Sequence, residues 1–168
     1  GPEMRSTGEV MGIDRDLGLA FAKSQLGASQ MLPTKGTVFI SVKDADKPAV
    51  APIAAKLHRL GFDLVATTGT HAFLSQQGIK CRRVFKVSES RPHVVDAMVN
   101  GEIDLVINTT EGKGPASDAY RIRRTALERG LAYCTTLAAA RATADAVEAL
   151  LKKDTLTVTP LQDYYAAG

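Results

Sequence analysis

Phe62-Asp63-Leu64-Val65-Ala66-Thr67-Thr68-Gly69-Thr70 decides the fold of this chain. The apolar run over residues 62–66 reads as a buried strand, and the segment 72–77 beyond it reads as a helix. The small, hydroxyl-rich turn between them is therefore a strand-to-helix junction. Such a junction aims backbone N–H groups, several hydroxyls and the positive end of a helix dipole at one point, which suits a phosphate. Taken alone it reads more readily as a plain helix cap with no ligand. The chemistry of the other strand ends separates the two readings.

Working outward, the same alternation recurs from Gly36 onward. Residues 37–42 form a short, nearly continuous β-branched and apolar run of the kind that fills a parallel sheet buried on both faces. Pro48 suits the first turn of a helix, and Val50, Ile53, Ala54, Leu57 and Leu60 form an apolar stripe that Gly61 stops. The remaining pattern predicts a helix over 70–77 and strands over 62–66, 81–84, 103–107 and 131–134. Further helices are predicted over 92–100, 117–129 and about 137–152, several of them closed by Gly78, Gly101 and Gly130. Strands alternating with helices imply an α/β fold: a three-layer, five-stranded parallel sheet, Rossmann-type, with helices on both faces and right-handed crossovers.

In such a sheet, ligands bind beyond the carboxyl ends of the strands. Those ends carry Ser41 with the loop 43–47, then Thr67, Thr68, Gly69 and Thr70, then Lys86, then Asn108, Thr109 and Thr110, then Thr135 and Thr136. Every loop offers hydroxyls, an amide or a lysine. None offers a His/Asp/Glu cluster for a metal. Lysine supplies a point charge, hydroxyls and backbone N–H groups fix oxygens, and an asparagine both donates and accepts, so the edge suits a phosphate with a polar head group.

Composition bounds the rest. With 168 residues, 45% of them apolar and 23% charged, the chain supports one sizeable core. No apolar run approaches the roughly 20 residues that span a bilayer, and the first residues carry no secretory pattern, so a cytoplasmic location is the expectation. A net charge of +3 does not call for nucleic acid, and the cluster Arg121, Arg123, Arg124 and Arg129 reads as a solvated or inter-domain face. Cys81 and Cys134 lack ligand or disulfide spacing and read as buried thiols. His58, His71 and His93 have no partner at ligand spacing, and Tyr164 and Tyr165 read as packing residues.

The motifs Ser41-Val42, Asp46-Lys47, Ala66 to Thr70, Lys86-Val87, Arg91-Pro92-His93, Ile107-Asn108-Thr109-Thr110 and Ile122-Arg123-Arg124 resemble, in this order, the methylglyoxal-synthase-like domains. Within them they are most similar to the carboxyl-terminal regulatory domains of carbamoyl-phosphate synthase large chains. The stretch Gly1-Pro2-Glu3-Met4-Arg5-Ser6-Thr7-Gly8-Glu9-Val10-Met11-Gly12 resembles the end of the preceding synthetase half. The expectation is a remnant of that half with a linker helix over 1–33, followed by a regulatory domain over 34–168. Leu17, Ala20 and Phe21 give the remnant's segment 14–26 an apolar face at helical spacing.

This resemblance implies an allosteric domain of a ligase in pyrimidine and arginine biosynthesis, with UMP as inhibitor and IMP as activator in one pocket. By motif, Ser41, Lys47, Thr67, Thr68, Gly69, Thr70 and Lys86 would hold the phosphate, while Asn108, Thr109, Thr110 and Asp118 would face ribose and base. Cys134-Thr135 stands where relatives carry an Asp-Thr pair that touches ornithine. The catalytic sites, with ATP, Mg and K, would lie in the rest of the large chain, and a glutamine-hydrolysing small subunit would be its partner. No catalytic residue, metal or cofactor is expected in the chain itself. The alternative within the fold is a stand-alone methylglyoxal synthase, which needs a carboxylate base in the loop after the third strand, where this chain carries Arg91.

Overall fold

The computed structural model describes residues 32–112 and 114–167, of which 154–167 are described by backbone only. The linker helix expected over 14–26 and the packing of Tyr164 and Tyr165 lie outside the described residues and side chains. Five strands form one all-parallel sheet: β1 (Thr37–Ser41), β2 (Asp63–Ala66), β3 (Arg82–Arg83), β4 (Leu105–Asn108) and β5 (Ala132–Cys134). Their order across the sheet is β3-β2-β1-β4-β5. The chain thus starts at the centre, winds out one way through β2 and β3, then returns to the other side of β1 for β4 and β5. The reversal point lies between β1 and β4, where Ser41 pairs with Asn108 at the carboxyl edge.

Among the described residues five helices cover the sheet: α1 (Lys47–Arg59), α2 (Thr68–Gln76), α3 (Val94–Val99), α4 (Asp118–Arg129) and α5 (Leu137–Ala167). Period-two alternation along the strands divides the core into two layers. Val38, Ile40, Leu64, Ala66, Leu105, Ile107, Ala132 and Cys134 face α1, α2 and α5. Phe39, Val65 and Val106 face α3 and α4 through Val94, Met98, Ile122 and Ala126. Burial on both faces is why these strands read as unbroken apolar runs.

Several boundaries differ from the sequence expectation for physical reasons. Strand β3 is two residues long instead of spanning 81–84, and it is an exposed Arg-Arg edge, which blunts pairing with another chain. Helix α3 begins at Val94, after Pro92, because the His93 side chain accepts from Asp96 N and the Asp96 carboxylate accepts in turn from His93 N. A 3-10 turn, Asp44–Asp46, precedes α1 and brings Lys47 into that helix as its first residue. Helix α5 continues through Ala167, beyond the expected end near 152.

Gly36, with φ at +119°, admits no side chain: a Cβ there would collide with the Asp104 carboxylate, which accepts from Thr37 N at 2.8 Å. That contact locks the start of β1 to the start of β4. It thereby sets the register that brings Ser41 and Asn108 level at the other end.

Candidate functional site

On the β1–β2 side, three hydroxyls are buried where strands give way to helices. Ser41, Thr67 and Thr70 are each at most 3% exposed. Thr67 occupies the N-cap position of α2 but makes no capping bond; its Oγ1 lies 2.9 Å from Ser41 Oγ instead. Thr70 Oγ1 accepts from Val42 N at 3.1 Å, so the turn is stapled to the end of β1. The first N–H groups of α2 therefore have no side-chain cap, and a helix start in that condition attracts an anion.

Lys47 stands over this helix start. A Cβ built on Gly69 would lie 3.2 Å from Lys47 Nζ, so a side chain there would push the ammonium back from the turn by a few tenths of an ångström. Its side chain is 18% exposed, more covered than the helix-start position suggests, and it pairs with Asp44, whose side chain is 96% exposed. The Asp44 carboxyl is held below its ordinary range first by the hydrogen bond from Lys47, and further by the charge of Lys86. Lys86, on the loop after β3, is thus within electrostatic reach of the same point. Its loop is tied down twice, by Lys86 N donating to Glu89 Oε1 at 2.7 Å and by Ser88 Oγ donating to Asp118 Oδ2 at 2.8 Å.

On the β4–β5 side a cavity of about 420 Å³ opens, lined among others by Lys43, Asn108, Thr109, Thr110, Arg123 and Thr135. Asn108 is 2% exposed and Thr109 6%. Thr109 Oγ1 accepts from Lys43 N at 3.1 Å, joining the β1 and β4 loops. Asn108 Oδ1 accepts from Thr110 N at 3.1 Å and from Thr110 Oγ1, while its Nδ2 donates to Tyr133 Oη at 3.4 Å.

The structure thus brings Ser41, Lys47, Thr67, Thr68, Gly69 and Thr70 together on one flank, where the charge of Lys86 is felt at Asp44, and Asn108, Thr109, Thr110 and Thr135 on the other. It does not bring Asp118 into the cavity lining; that carboxylate accepts from Ser88 at the mouth of the Lys86 loop. Cys134, expected as a candidate ornithine-side contact, turns its side chain inward. The period of β5 turns its thiol, 1% exposed, into the core beside Ala132, with Thr143 Oγ1 at 3.4 Å, and burial pushes its pKa up to about 11. Cys81 is only partly buried. Tyr133 and Glu111 were missed by sequence reasoning; the alternation that sends Cys134 inward sends Tyr133 to the other face, which was a legible signal.

A larger concavity, about 560 Å³, lies at Arg91, Pro92, Asp96, Val99 and Asn100. Its chemistry is closed on itself. Asp96 accepts from Arg91 Nη2 at 2.7 Å and from His93 N at 2.8 Å, and the Arg91 hydrogen bond foremost holds its carboxyl below the usual range. The arginines of α4 divide: Arg129 donates to Val99 O at 2.8 Å, Arg124 pairs with Glu128 at 3.7 Å, and Arg123 lines the cavity. Among the described residues no group of three or more His, Cys, Asp or Glu is gathered for a metal ion, and no helix is long and apolar enough to cross a membrane.

Sheet order and edge chemistry together define a Rossmann-type α/β domain whose carboxyl edge is suited to an anion. The chain belongs to the MGS-like domain family, whose model matches residues 49–135. It is 54% identical over 166 residues to the carbamoyl phosphate synthase large chain, C-terminal section, of Methanopyrus kandleri, covering 98% of this chain and 30% of that protein. It is 51% identical over 166 residues to the carbamoyl phosphate synthase large chain of Mesorhizobium japonicum, covering 99% of this chain and 14% of that protein. With the C-terminal section from Aquifex aeolicus it shares 50% over 169 residues, 98% of this chain and 32% of that protein. The chain thus spans a third or less of the length of these curated relatives.

Proposed function

We propose that this chain is the nucleotide-binding regulatory domain of a carbamoyl phosphate synthase large chain. A nucleoside 5′-monophosphate seats its phosphate over the start of α2, and its sugar and base reach across β1 toward Asn108. UMP acts as inhibitor and IMP as activator, and the response passes to the synthetase domains of the same chain and its glutamine-hydrolysing partner subunit. The observation that carries this reading is the uncapped start of α2. Thr67 sits at the cap position yet gives its hydroxyl to Ser41, and the Lys47 ammonium stands over Gly69. A plain cap would have spent the Thr67 oxygen on the helix.

The chain by itself carries out no chemistry in this reading. Of the carboxylates on and just after the loop that follows β3, Glu89 accepts from Lys86 N, and Asp96 is held ionised by Arg91 and accepts from His93 N, so Asp96 is a poor proton acceptor for a triose phosphate. Calorimetric titration of the purified chain with UMP, IMP and uridine tests the proposal. Binding of both nucleotides with uridine far weaker is expected, because charge-assisted contacts to the phosphate supply most of the affinity. Equal binding of uridine and UMP would put the phosphate elsewhere and reduce Thr67 to Thr70 to a helix cap.

A further inference from the structure

Asn108 is the one buried amide at the reversal point of the sheet, and its two ends are not interchangeable. Thr110 N can only donate, so the atom 3.1 Å from it is the amide oxygen, and that oxygen also takes the Thr110 hydroxyl. The amide nitrogen therefore faces the other way. One of its two N–H groups is directed at Tyr133 Oη, 3.4 Å away on the neighbouring strand β5. The second has no partner among the described residues. It belongs to a side chain only 2% exposed that lines the 420 Å³ cavity. A buried donor left without a partner is costly, so it marks the place where a ligand supplies an acceptor.

We infer that Tyr133 is a positioning residue that sets the specificity of this site: with Thr110 it clamps Asn108 so that the cavity presents a lone N–H donor and selects bases bearing a carbonyl oxygen over bases bearing an exocyclic amine. The inference rests on the nucleotide reading above and deepens it. Tyr133 does not itself line the cavity and acts through the amide plane of Asn108. Without its hydroxyl the amide still has Thr110 on its oxygen, but nothing holds the nitrogen side, and the plane is free to swing. An oxo base completes the pattern by accepting from the free N–H. An amino base at the same place sets donor against donor, and two buried groups go unpaired.

Titration of the purified chain and of Tyr133→Phe and Asn108→Asp variants with ribose 5-phosphate, UMP, CMP, IMP and AMP tests this. The unmodified chain is expected to favour UMP over CMP and IMP over AMP by roughly ten-fold or more. Tyr133→Phe should shrink both ratios by about 3- to 10-fold, the worth of one neutral hydrogen bond, while ribose 5-phosphate binding falls by less than the discrimination does. Asn108→Asp, which exchanges the donor for an acceptor, should reverse both ratios. Melting curves identify a variant that fails to fold, and Tyr133→Phe carries the test where Asn108→Asp does so. If all five ligands bind the unmodified chain and Tyr133→Phe leaves both ratios unchanged, the inference is overturned while the phosphate reading stands. If neither ribose 5-phosphate nor any nucleotide binds, the reading of the whole site falls, and this inference with it.

Discussion

Of two concavities among the described residues, at the start of α3 and at the carboxyl edge, the larger has less to offer a ligand. Around the hollow of about 560 Å³ at the start of α3, Asp96 has accepted from Arg91 and from His93 N, and His93 has accepted in return. Around the carboxyl edge, with its smaller cavity of about 420 Å³, valences are left over. Thr67 withholds its cap, the partner of Lys47 is the exposed Asp44, and Asn108 keeps one N–H in hand. Volume therefore does not mark the site. What marks it is bonding capacity left over at groups the fold takes out of water, the uncapped start of α2 and one N–H of Asn108.

The largest effect expected from that contrast falls on the two lysines. Lys47→Ala or Lys86→Ala should weaken UMP or IMP by roughly 10- to 150-fold, the worth of a hydrogen bond to a charged group. Arg91→Ala, at the other hollow, should leave nucleotide affinity alone. Titration calorimetry on the three variants decides the matter; equal losses in Lys47→Ala and Arg91→Ala would erase the distinction between the two hollows.

Next comes Thr70, which joins the edge to the core. Its hydroxyl accepts from Val42 N in a fully buried position, so Thr70→Val, nearly the same shape, strands a backbone donor. We expect a loss of about 1–3 kcal/mol in urea unfolding together with weaker nucleotide binding. A variant as stable as the parent would mean that water reaches Val42 N and that the edge is less enclosed than its burial indicates.

Smaller, and opposite in sign, is the effect of Asp44. An incoming phosphate has to displace it from Lys47. An exposed ion pair is worth little, so Asp44→Asn should tighten nucleotide binding only modestly, by roughly 1.5- to 5-fold, and more at low salt. Weaker binding in this variant would show Asp44 to be holding Lys47 in the productive position.

Much of this architecture was legible from residue order. Val38, Phe39 and Ile40 form an unbroken apolar run because consecutive side chains enter different core layers, and Gly130, in the left-handed conformation, ends α4 where a glycine was expected to stop it. The strand-end rule then gathered Ser41, Thr67, Thr70, Asn108 and Thr135 without a contact being known. Long-range geometry was not legible. An imidazole cap such as His93 leaves no signature, because histidine is not a usual cap residue. The Ser41–Thr67 bond depends on β1–β2 register, and so does the freedom of the α2 start that follows from it. Not legible either was the covering of Lys47, which stands at the start of α1 after the 3-10 turn with its ammonium over Gly69.

The smallest effect concerns Cys134, one residue from the cavity in sequence and on the opposite side of the strand in space. Its thiol has an ordinary value of 9.0 and stands at about 11 in the folded chain, because burial disfavours the thiolate. A folded-state value above the unfolded one means that, between those limits, the unfolded chain gives up its proton first. Stability is therefore unaffected below about pH 9 and declines as pH rises toward 11. Cys134→Ala removes this contribution while other alkaline groups titrate alike in both proteins. Urea midpoints at about pH 8 and 10.5 should fall further in the parent than in the variant, and at about pH 8 nucleotide affinity should be the same in both. Parallel declines would mean that the thiol is not sealed in the core. A changed affinity at about pH 8 would mean that the core face of β5 is coupled to the cavity after all.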